Sequence, residues 1–366
     1  MTAAVNRARL VSLARFAVCG LLLAIIFHVI FCNEVQLQLA SEGKDWAAYT
    51  KWEKRHLAWT RGPAALWETV HRLDAASLGL AFGAVGSLII LGGLRWRQVL
   101  RAQGFDLPLT QILRISLVAH FFNAFLLGTA GGDVVKAWYA ARTTPDKKAE
   151  AALTVFADRL LGTLALLLFT AVLMLFCLPL LVDYRRHLAL ALAVLAMLVV
   201  AGGLVIIGFY TGALQHEGWL AQWVRRLPRG ESFARGLAVC RRFGHEPGFM
   251  ARVGFWSLLQ NLAMALAYCV LARGIGIELP AVTLAYVTSA VVCVAALPVT
   301  PSGLGVRENL FVWLLTVPAL GVKPGAALSL SLLGYTLNLV WSAFGGLVYL
   351  FMPDRADANA VRNAAD

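Results

Sequence analysis

Long apolar segments separated by short polar connections make up most of this chain. Six of them are long enough to cross a bilayer, because a spanning helix needs about 20 mostly apolar residues. These segments cover residues 11–32, 75–94, 151–178, 188–210, 252–272 and 326–351. The pattern predicts an all-α polytopic membrane protein with about six full spans.

Two further apolar stretches, 109–141 and 280–320, are each interrupted midway by glycine or proline. Irregular backbone at membrane depth is tolerated only where protein or a water-filled cavity satisfies its polar groups. We therefore expect each stretch to form a re-entrant helical hairpin. The two hairpins should enter from opposite faces, as in an inverted repeat built around broken helices.

Lysine and arginine in the connections predict the orientation, because they concentrate on the cytoplasmic side. Arg7 and Arg9 precede the first segment and Arg15 lies near its start, residues 95–104 are predicted to form a basic loop after the second segment, and loop 211–251 contains six further arginines. Segment 33–74 balances six basic against six acidic residues, which fits an extracytoplasmic loop. We expect one transmembrane domain over 1–352, a disordered cytoplasmic tail over 353–366, and both termini in the cytoplasm. Four tryptophans suggest that part of segment 33–74 rests on the membrane interface: Trp46, Trp52, Trp59 and Trp67.

The composition supports a membrane protein and argues against a soluble domain, a nucleic acid-binding protein and a zinc or disulfide scaffold. Hydrophobic residues make up 60% of the chain and charged residues 14%, against roughly 45–50% and about 25% in soluble domains. The net charge of +12 is explained by orientation, so we expect no nucleic acid partner. The six cysteines form no CxxC pair, which argues against a zinc site or a disulfide framework. No Walker motif is present, and we expect no cofactor.

The first helix break places polar groups in an apolar stretch at residues 120–142. Asp133 and Lys136 are three residues apart, so on a helix they share a face and can pair. Asn123 precedes the break, and Gly131 and Gly132 can end one helix and expose backbone N–H groups. We expect this break to be functional.

The second break, within residues 297–315, has the same loose plan. Pro301 stops a helix, while Gly303 and Gly305 keep the turn open. Arg307 and Glu308 then begin the next helix. An apolar arm, a glycine-rich break, an adjacent acid and base, and a second apolar arm therefore occur twice in the chain.

Other polar groups lie within the spans. A charge at the bilayer centre costs about 2.5–3.5 kcal/mol on insertion scales, so Asp158 and Arg159 need a reason to be there. They either join the site or only lock helices together, and both interpretations stay open. Arg114 can reach the cytoplasmic interface, and His120 is more simply a packing residue than a ligand.

The chemistry of the two breaks points to an anion. A helix that starts at a break offers free N–H groups and a positive dipole end. Three cationic residues lie near the breaks in the sequence: Lys136, Arg159 and Arg307. At membrane depth, the simplest anion is a lipid phosphate headgroup. The candidate substrate-binding residues are Asn123, Gly131, Gly132, Asp133, Lys136, Asp158, Arg159, Pro301, Gly303, Gly305, Arg307, Glu308 and Asn338.

Three ordered motifs give the chain a family resemblance: GGDVVK at 131–136, DRLLG at 158–162 and PSGLGVRE at 301–308. With these, the chain resembles the flippase-like integral membrane family, which includes the transmembrane region of lysylphosphatidylglycerol synthases. Some stand-alone members are linked to hopanoid or polyprenyl-lipid metabolism. The resemblance implies a bacterial inner-membrane protein that moves a phospholipid or a lipid-linked precursor between leaflets. The chain ends just after the membrane region, so we do not expect aminoacyl transfer.

Two other functions remain open from the sequence. An intramembrane enzyme could act on lipid phosphates or lipid-linked sugars, with Asp133 or Glu308 as the base. A non-catalytic scaffold could dock lipid-synthesis enzymes through the arginine-rich 225–242 loop, although anionic-lipid contact explains that loop more simply. Expected partners are an anionic lipid, the membrane, and either a second copy of the chain or lipid-synthesis enzymes.

Overall fold

The computed structural model describes residues 21, 24–25, 27–40, 42–72, 74–124, 131–143, 147–210, 246–297, 303 and 305–351. Within these residues the regular structure is helical, which confirms the predicted all-α class. The helices are α1 (27–40), α2 (Lys51–Arg72), α3 (Ala75–Ala102), α4 (Leu109–Asn123), α5 (Gly131–Thr143), α6 (Lys148–Phe176), α7 (Leu178–Asp183), α8 (Arg185–Val205), α9 (Phe249–Gly274), α10 (Ala281–Ala295), α11 (Val306–Leu315) and α12 (Pro324–Phe351).

Five helices in the described part of the chain are long and apolar enough to cross a membrane. They are α3, α6, α8 with its π-helical extension to Tyr210, α9 and α12, and they match five of the six predicted spans. The remaining span, 11–32, lies mostly outside the described residues, as do the 353–366 tail and residues 211–245 of the basic loop.

Two connections are more helical than the sequence suggested. The segment 33–74 contains the end of α1, a short 3-10 helix at Trp46–Ala48, and α2. The basic stretch after residue 94 continues α3 to Ala102 instead of forming a loop. The helix continues because Trp96, Val99 and Leu100 are buried in a core cluster, so this part of α3 has an apolar face of its own.

The helices repeat one order twice along the chain. In α3–α6 and again in α9–α12, two short helices lie between two long ones. The short helices α4, α5, α10 and α11 have 15, 13, 15 and 10 residues. At about 1.5 Å per residue they are about 15–22 Å long, less than the roughly 30 Å thickness of the hydrocarbon core.

The two four-helix units pack through corresponding partners. Helix α3 packs on α9, α4 packs on the closing helix α12, and α10 packs on the closing helix α6. The units run in opposite directions, because late α3 and early α9 share one core cluster while early α3 and late α9 share another.

Close approaches hold both pairs of short helices in place. A Cβ at Gly345 of α12 would overlap the carbonyl oxygen of Leu117 in α4, so glycine is required where these helices cross. On the other pair, the buried ring of His187 in α8 lies 3.2 Å from both the Tyr286 hydroxyl and the Leu314 carbonyl oxygen. His187 thereby ties α8 to α10 and α11.

Candidate functional site

A cavity of about 380 Å³ lies among α3, α4, α5, α6 and α9. Five charged side chains line it, and we call it the charged cavity. They are Arg95, Asp133, Lys136, Asp158 and Arg159. All five belong to helices that the sequence places at membrane depth or at its edge, where unpaired charge is costly.

Asp158 is the buried centre of this cluster. Its Oδ1 accepts a hydrogen bond from Arg95 Nε at 2.8 Å, and its Oδ2 accepts one from Lys136 Nζ at 3.0 Å. The Lys136 ammonium also lies 4.2 Å from the centre of the Trp96 ring, and Trp96 is held by donating to Thr154 Oγ1. A buried carboxylate with both oxygens paired avoids the large penalty of an isolated charge.

Arg95 is held from two further directions. Its Nη1 donates to Gln260 Oε1 at 2.9 Å, and Gln260 Nε2 in turn donates to the Leu88 carbonyl oxygen. On the other side, a Cβ at Gly162 would lie 2.5 Å from Arg95 Nη1. The glycine therefore provides the space in which the guanidinium lies against α6.

Asp133 and Arg159 form the more open part of the cluster. Arg159 donates to Asp133 from the adjacent helix. The Arg159 side chain is 34% exposed and the Asp133 side chain is 26% exposed. The sequence suggested that Asp133 would pair with Lys136 along α5. In the structure each residue pairs with α6 instead, because α5 packs along α6 and brings Asp158 and Arg159 opposite it.

The start of α5 is fastened to the end of α4. The Gly132 N–H donates to Asn123 Oδ1 at 2.7 Å, which gives one N-terminal amide of α5 a partner. A Cβ at Gly132 would overlap the Ala119 carbonyl oxygen. Asn123 and Gly132 therefore shape the break, and Gly131 is the first residue of α5.

A second cavity of about 310 Å³ contains Arg307, and we call it the arginine–tyrosine cavity. The guanidinium carbon of Arg307 lies 4.3 Å from the centre of the Tyr335 ring. Arg307 donates to Glu308 Oε1 at 2.8 Å and to Ser331 Oγ at 3.3 Å. Tyr268 also lines this cavity.

The second break is shaped by its own acid. The Gly305 N–H donates to Glu308 Oε2 at 2.6 Å, so Glu308 closes the start of α11 while it pairs with Arg307. Gly303 and Gly305 have φ angles of 72° and 80°, a region that glycine adopts readily and other residues rarely. Pro301 lies outside the described residues.

The two cavities adjoin near the middle of the bundle. Both are lined by the polar side chains of His120, Asn123 and Asn338, together with apolar residues such as Met264. Polar groups therefore follow one another from Arg95, in the second half of α3, to Arg307, at the start of α11.

The structure thus brings most of the predicted residues together and adds several others. Asn123, Asp133, Lys136, Asp158 and Arg159 line the charged cavity, Arg307 lines the other, and Asn338 lines both. Sequence reasoning missed the lining residues Arg95, Gln260, Tyr268 and Tyr335. Gln260 could have been recognised from the sequence, since it stands beside Asn261 as a pair of polar residues within an apolar span. Arg95 could not, because it resembled the start of a basic loop.

Residues 56–345, from α2 to α12, match the family model described as the lysylphosphatidylglycerol synthase TM region. The chain belongs to this family. The match contains every predicted site residue and both cavities, and it supports a lipid-related, multi-pass membrane protein. No curated protein matches the chain significantly.

Proposed function

We propose that this member of the lysylphosphatidylglycerol synthase TM region family is a transporter that moves an anionic lipid between leaflets. The lipid is a phospholipid or a lipid-linked precursor. The observation that carries the proposal is the charged cavity, where three cations and two carboxylates line one space within the bundle. A headgroup could exchange its hydration for these groups while its acyl chains stay in the bilayer.

Transport accounts for the geometry better than catalysis. A general base needs a carboxylate that can reach and accept a substrate proton. Asp158 already accepts from Arg95 and Lys136, and Asp133 is paired with Arg159. Ion pairing makes such carboxylates poor bases, but it suits a site that must hold charge stably before the ligand arrives.

The arrangement of the helices supports a route across the membrane. The four short helices are too short to span alone, so we propose that α4–α5 and α10–α11 are re-entrant hairpins. The two units run in opposite directions and pack through corresponding partners, which supports an inverted repeat. Many secondary transporters bind their substrate near the midplane between such repeats.

We also propose the orientation and the path. The chain lies in the bacterial inner membrane with its termini in the cytoplasm, so the Arg95 end of the path faces the cytoplasm. The headgroup then passes from the charged cavity, by His120 and Asn338, to the arginine–tyrosine cavity around Arg307.

A vesicle assay tests transport. The purified full chain is reconstituted into liposomes that contain a trace of fluorescent phosphatidylglycerol, and dithionite bleaches the outer leaflet. Transport raises the bleached fraction above the level of empty vesicles. Arg307→Ala and Asp133→Ala should slow this phase about ten-fold or more, since about 1.4 kcal/mol of lost stabilisation is a factor of ten.

The matched control is Arg252→Ala. Arg252 is an exposed arginine near the start of α9 that pairs with Glu246 and lines neither cavity. It should transport at the unmodified rate. Equal bleaching in protein-containing and empty vesicles would refute the proposal, as would equal loss in all three variants.

A further inference from the structure

We propose that the hydroxyl of Tyr268 is a ligand-binding group, which hydrogen-bonds the lipid headgroup together with Arg307 in the arginine–tyrosine cavity. This inference rests on the proposed function, because it makes that cavity a second binding site on the path of the headgroup. It gives a ligand-contacting role to a residue that the sequence did not single out.

The side chain of Tyr268 combines a packed ring with a hydroxyl at a cavity wall. Its ring stacks on Phe311 of α11, with ring centres 5.5 Å apart and an interplanar angle of 12°, and the residue is 8% exposed. Within the described part of the chain, no residue forms a hydrogen bond with its hydroxyl, although the side chain lines the arginine–tyrosine cavity. Buried tyrosine hydroxyls usually have a partner, so this one is placed to bond a molecule that enters the cavity.

Gly334 of α12 provides the space for this hydroxyl. A Cβ at residue 334 would lie 2.6 Å from both the hydroxyl oxygen and Cζ of Tyr268. Gly334 also lines the arginine–tyrosine cavity. The close approach of the α12 backbone therefore fixes the position of the hydroxyl at the cavity wall.

Tyr268 has the same place in the second four-helix unit that Arg95 has in the first. Each residue lies in the first long helix of its unit, against a glycine in the last helix: Gly162 for Arg95 and Gly334 for Tyr268. The spacing agrees, because Tyr268 follows Arg95 by 173 residues and Gly334 follows Gly162 by 172. Arg95 lines the charged cavity and Tyr268 lines the other, so each unit contributes one such polar group to its own cavity.

The two positions differ in the partner that the fold offers. In the first unit, Asp158 of α6 accepts a hydrogen bond from Arg95. The residue 172 positions after Asp158 is Leu330 of α12, which is fully buried and apolar. The carboxylate partner therefore has no counterpart in the second unit. A hydroxyl without a built-in partner costs far less than an unpaired guanidinium, so this position can be kept for a ligand.

Arg307 is the second donor of this binding site. Its Nε donates to Ser331 and its Nη2 to Glu308, which uses two of the five N–H donors of an arginine. Because Glu308 pairs with Arg307, the two residues together have no net charge. The site therefore suits an oxygen-rich headgroup that is held by hydrogen bonds rather than by excess charge.

Tyr268→Phe tests this role because it removes only the hydroxyl. In the vesicle assay it should slow transport by about three- to ten-fold, the effect of one lost hydrogen bond to the headgroup. It should leave the unfolding temperature in detergent unchanged, because no hydrogen bond within the described part of the chain is lost.

The matched control is Tyr286→Phe. Tyr286 is also buried, but its hydroxyl lies 3.2 Å from His187 Nδ1, and it lines neither cavity. This variant should unfold a few degrees lower and transport at the unmodified rate. A fall in the unfolding temperature of Tyr268→Phe equal to that of Tyr286→Phe would make the Tyr268 hydroxyl structural and overturn the inference, as would equal transport in the two variants.

A double-variant cycle tests whether Tyr268 and Arg307 bind the same headgroup. Groups that bind one ligand are coupled. The loss of transport in Tyr268→Phe/Arg307→Ala should therefore be smaller than the product of the losses in the two single variants. A loss equal to that product would show that the two residues act separately and would overturn their shared role.

Binding in detergent separates this inference from the proposed function. Short-chain phosphatidylglycerol should raise the unfolding temperature of the unmodified protein and of Tyr286→Phe more than that of Tyr268→Phe. This result, with no transport in vesicles, would support the role of Tyr268 and reject the transporter. Equal stabilisation of all three proteins would overturn the inference even if transport is observed. Stabilisation by soluble glycerol phosphate as strong as by the lipid would assign the cavity to a free phosphate and overturn the lipid assignment.

Discussion

Gly162 of α6 offers a direct test of how the charged cluster is held. Gly162→Ala would place a methyl group 2.5 Å from Arg95 Nη1 and 2.6 Å from the guanidinium carbon. Arginine is long enough to swing away, but its guanidinium is bound to Asp158 and Gln260. The substitution therefore acts by separating Arg95 from these partners.

The expected magnitude is the balance of two effects. A hydrogen bond to a charged group is worth about 1.5–3 kcal/mol, and Gly→Ala within a helix returns about 1 kcal/mol. Because two such bonds are lost, we expect Gly162→Ala to cost about 2–5 kcal/mol of stability and most of the lipid transport. The control is Gly203→Ala in α8, where the new methyl group meets nothing within 4 Å. That variant should be as stable as the unmodified protein or slightly more so.

Thermal unfolding in detergent and the vesicle assay measure both effects. The order of stability should be Gly203→Ala first, then the unmodified protein, then Gly162→Ala, and only the last should lose transport. If the two alanine variants behave alike, Arg95 is not held against α6 and the proposed structure of the site is wrong.

Three further predictions concern the site and its supports. Asp158→Asn leaves Arg95 and Lys136 without their carboxylate, so it should lower the stability of the fold by about 3–5 kcal/mol. The measurement is the unfolding temperature, which should fall. An unchanged temperature would contradict a buried ion pair. His187→Ala removes the link from α8 to α10 and α11 and should cost about 1–3 kcal/mol of stability. Limited proteolysis should then cleave these short helices earlier than in the unmodified protein. An unchanged digest would contradict this role of His187. Trp52, which is 73% exposed, and Arg61 lie on opposite faces of α2. Spin labels at these two positions in liposomes should therefore differ in collision partner: the label at 52 should be more accessible to oxygen, and the label at 61 to a water-soluble nickel complex. Equal accessibility at both positions would contradict the placement of α2 at the membrane interface.

Some of the architecture could be predicted from the sequence because it depends on local properties. Whether a segment can span a membrane depends on its length and apolar content, which is why five of the six predicted spans coincide with described helices that are long and apolar enough to cross one. Gly305 likewise marks a real helix start, since its φ of 80° is a local steric limit that glycine meets readily.

The partners of the charged residues depended on the tertiary structure. Local spacing put Asp133 and Lys136 on one face and suggested a pair within α5. The packing of α6 offered both residues better partners, Arg159 and Asp158. Arg95 looked like the first residue of a basic loop, and only the contact between α3 and α9 makes it a cavity residue beside Gln260.

The amino-acid sequence by itself therefore determined that the chain belongs in a membrane, where its spans lie, and which family it resembles. Only the tertiary structure decided that the two units run in opposite directions and that five charges meet in one cavity. The physical reason is that hydropathy and turn sterics act over a few residues. Ion pairing in a low-dielectric interior, in contrast, depends on which helices are neighbours in space.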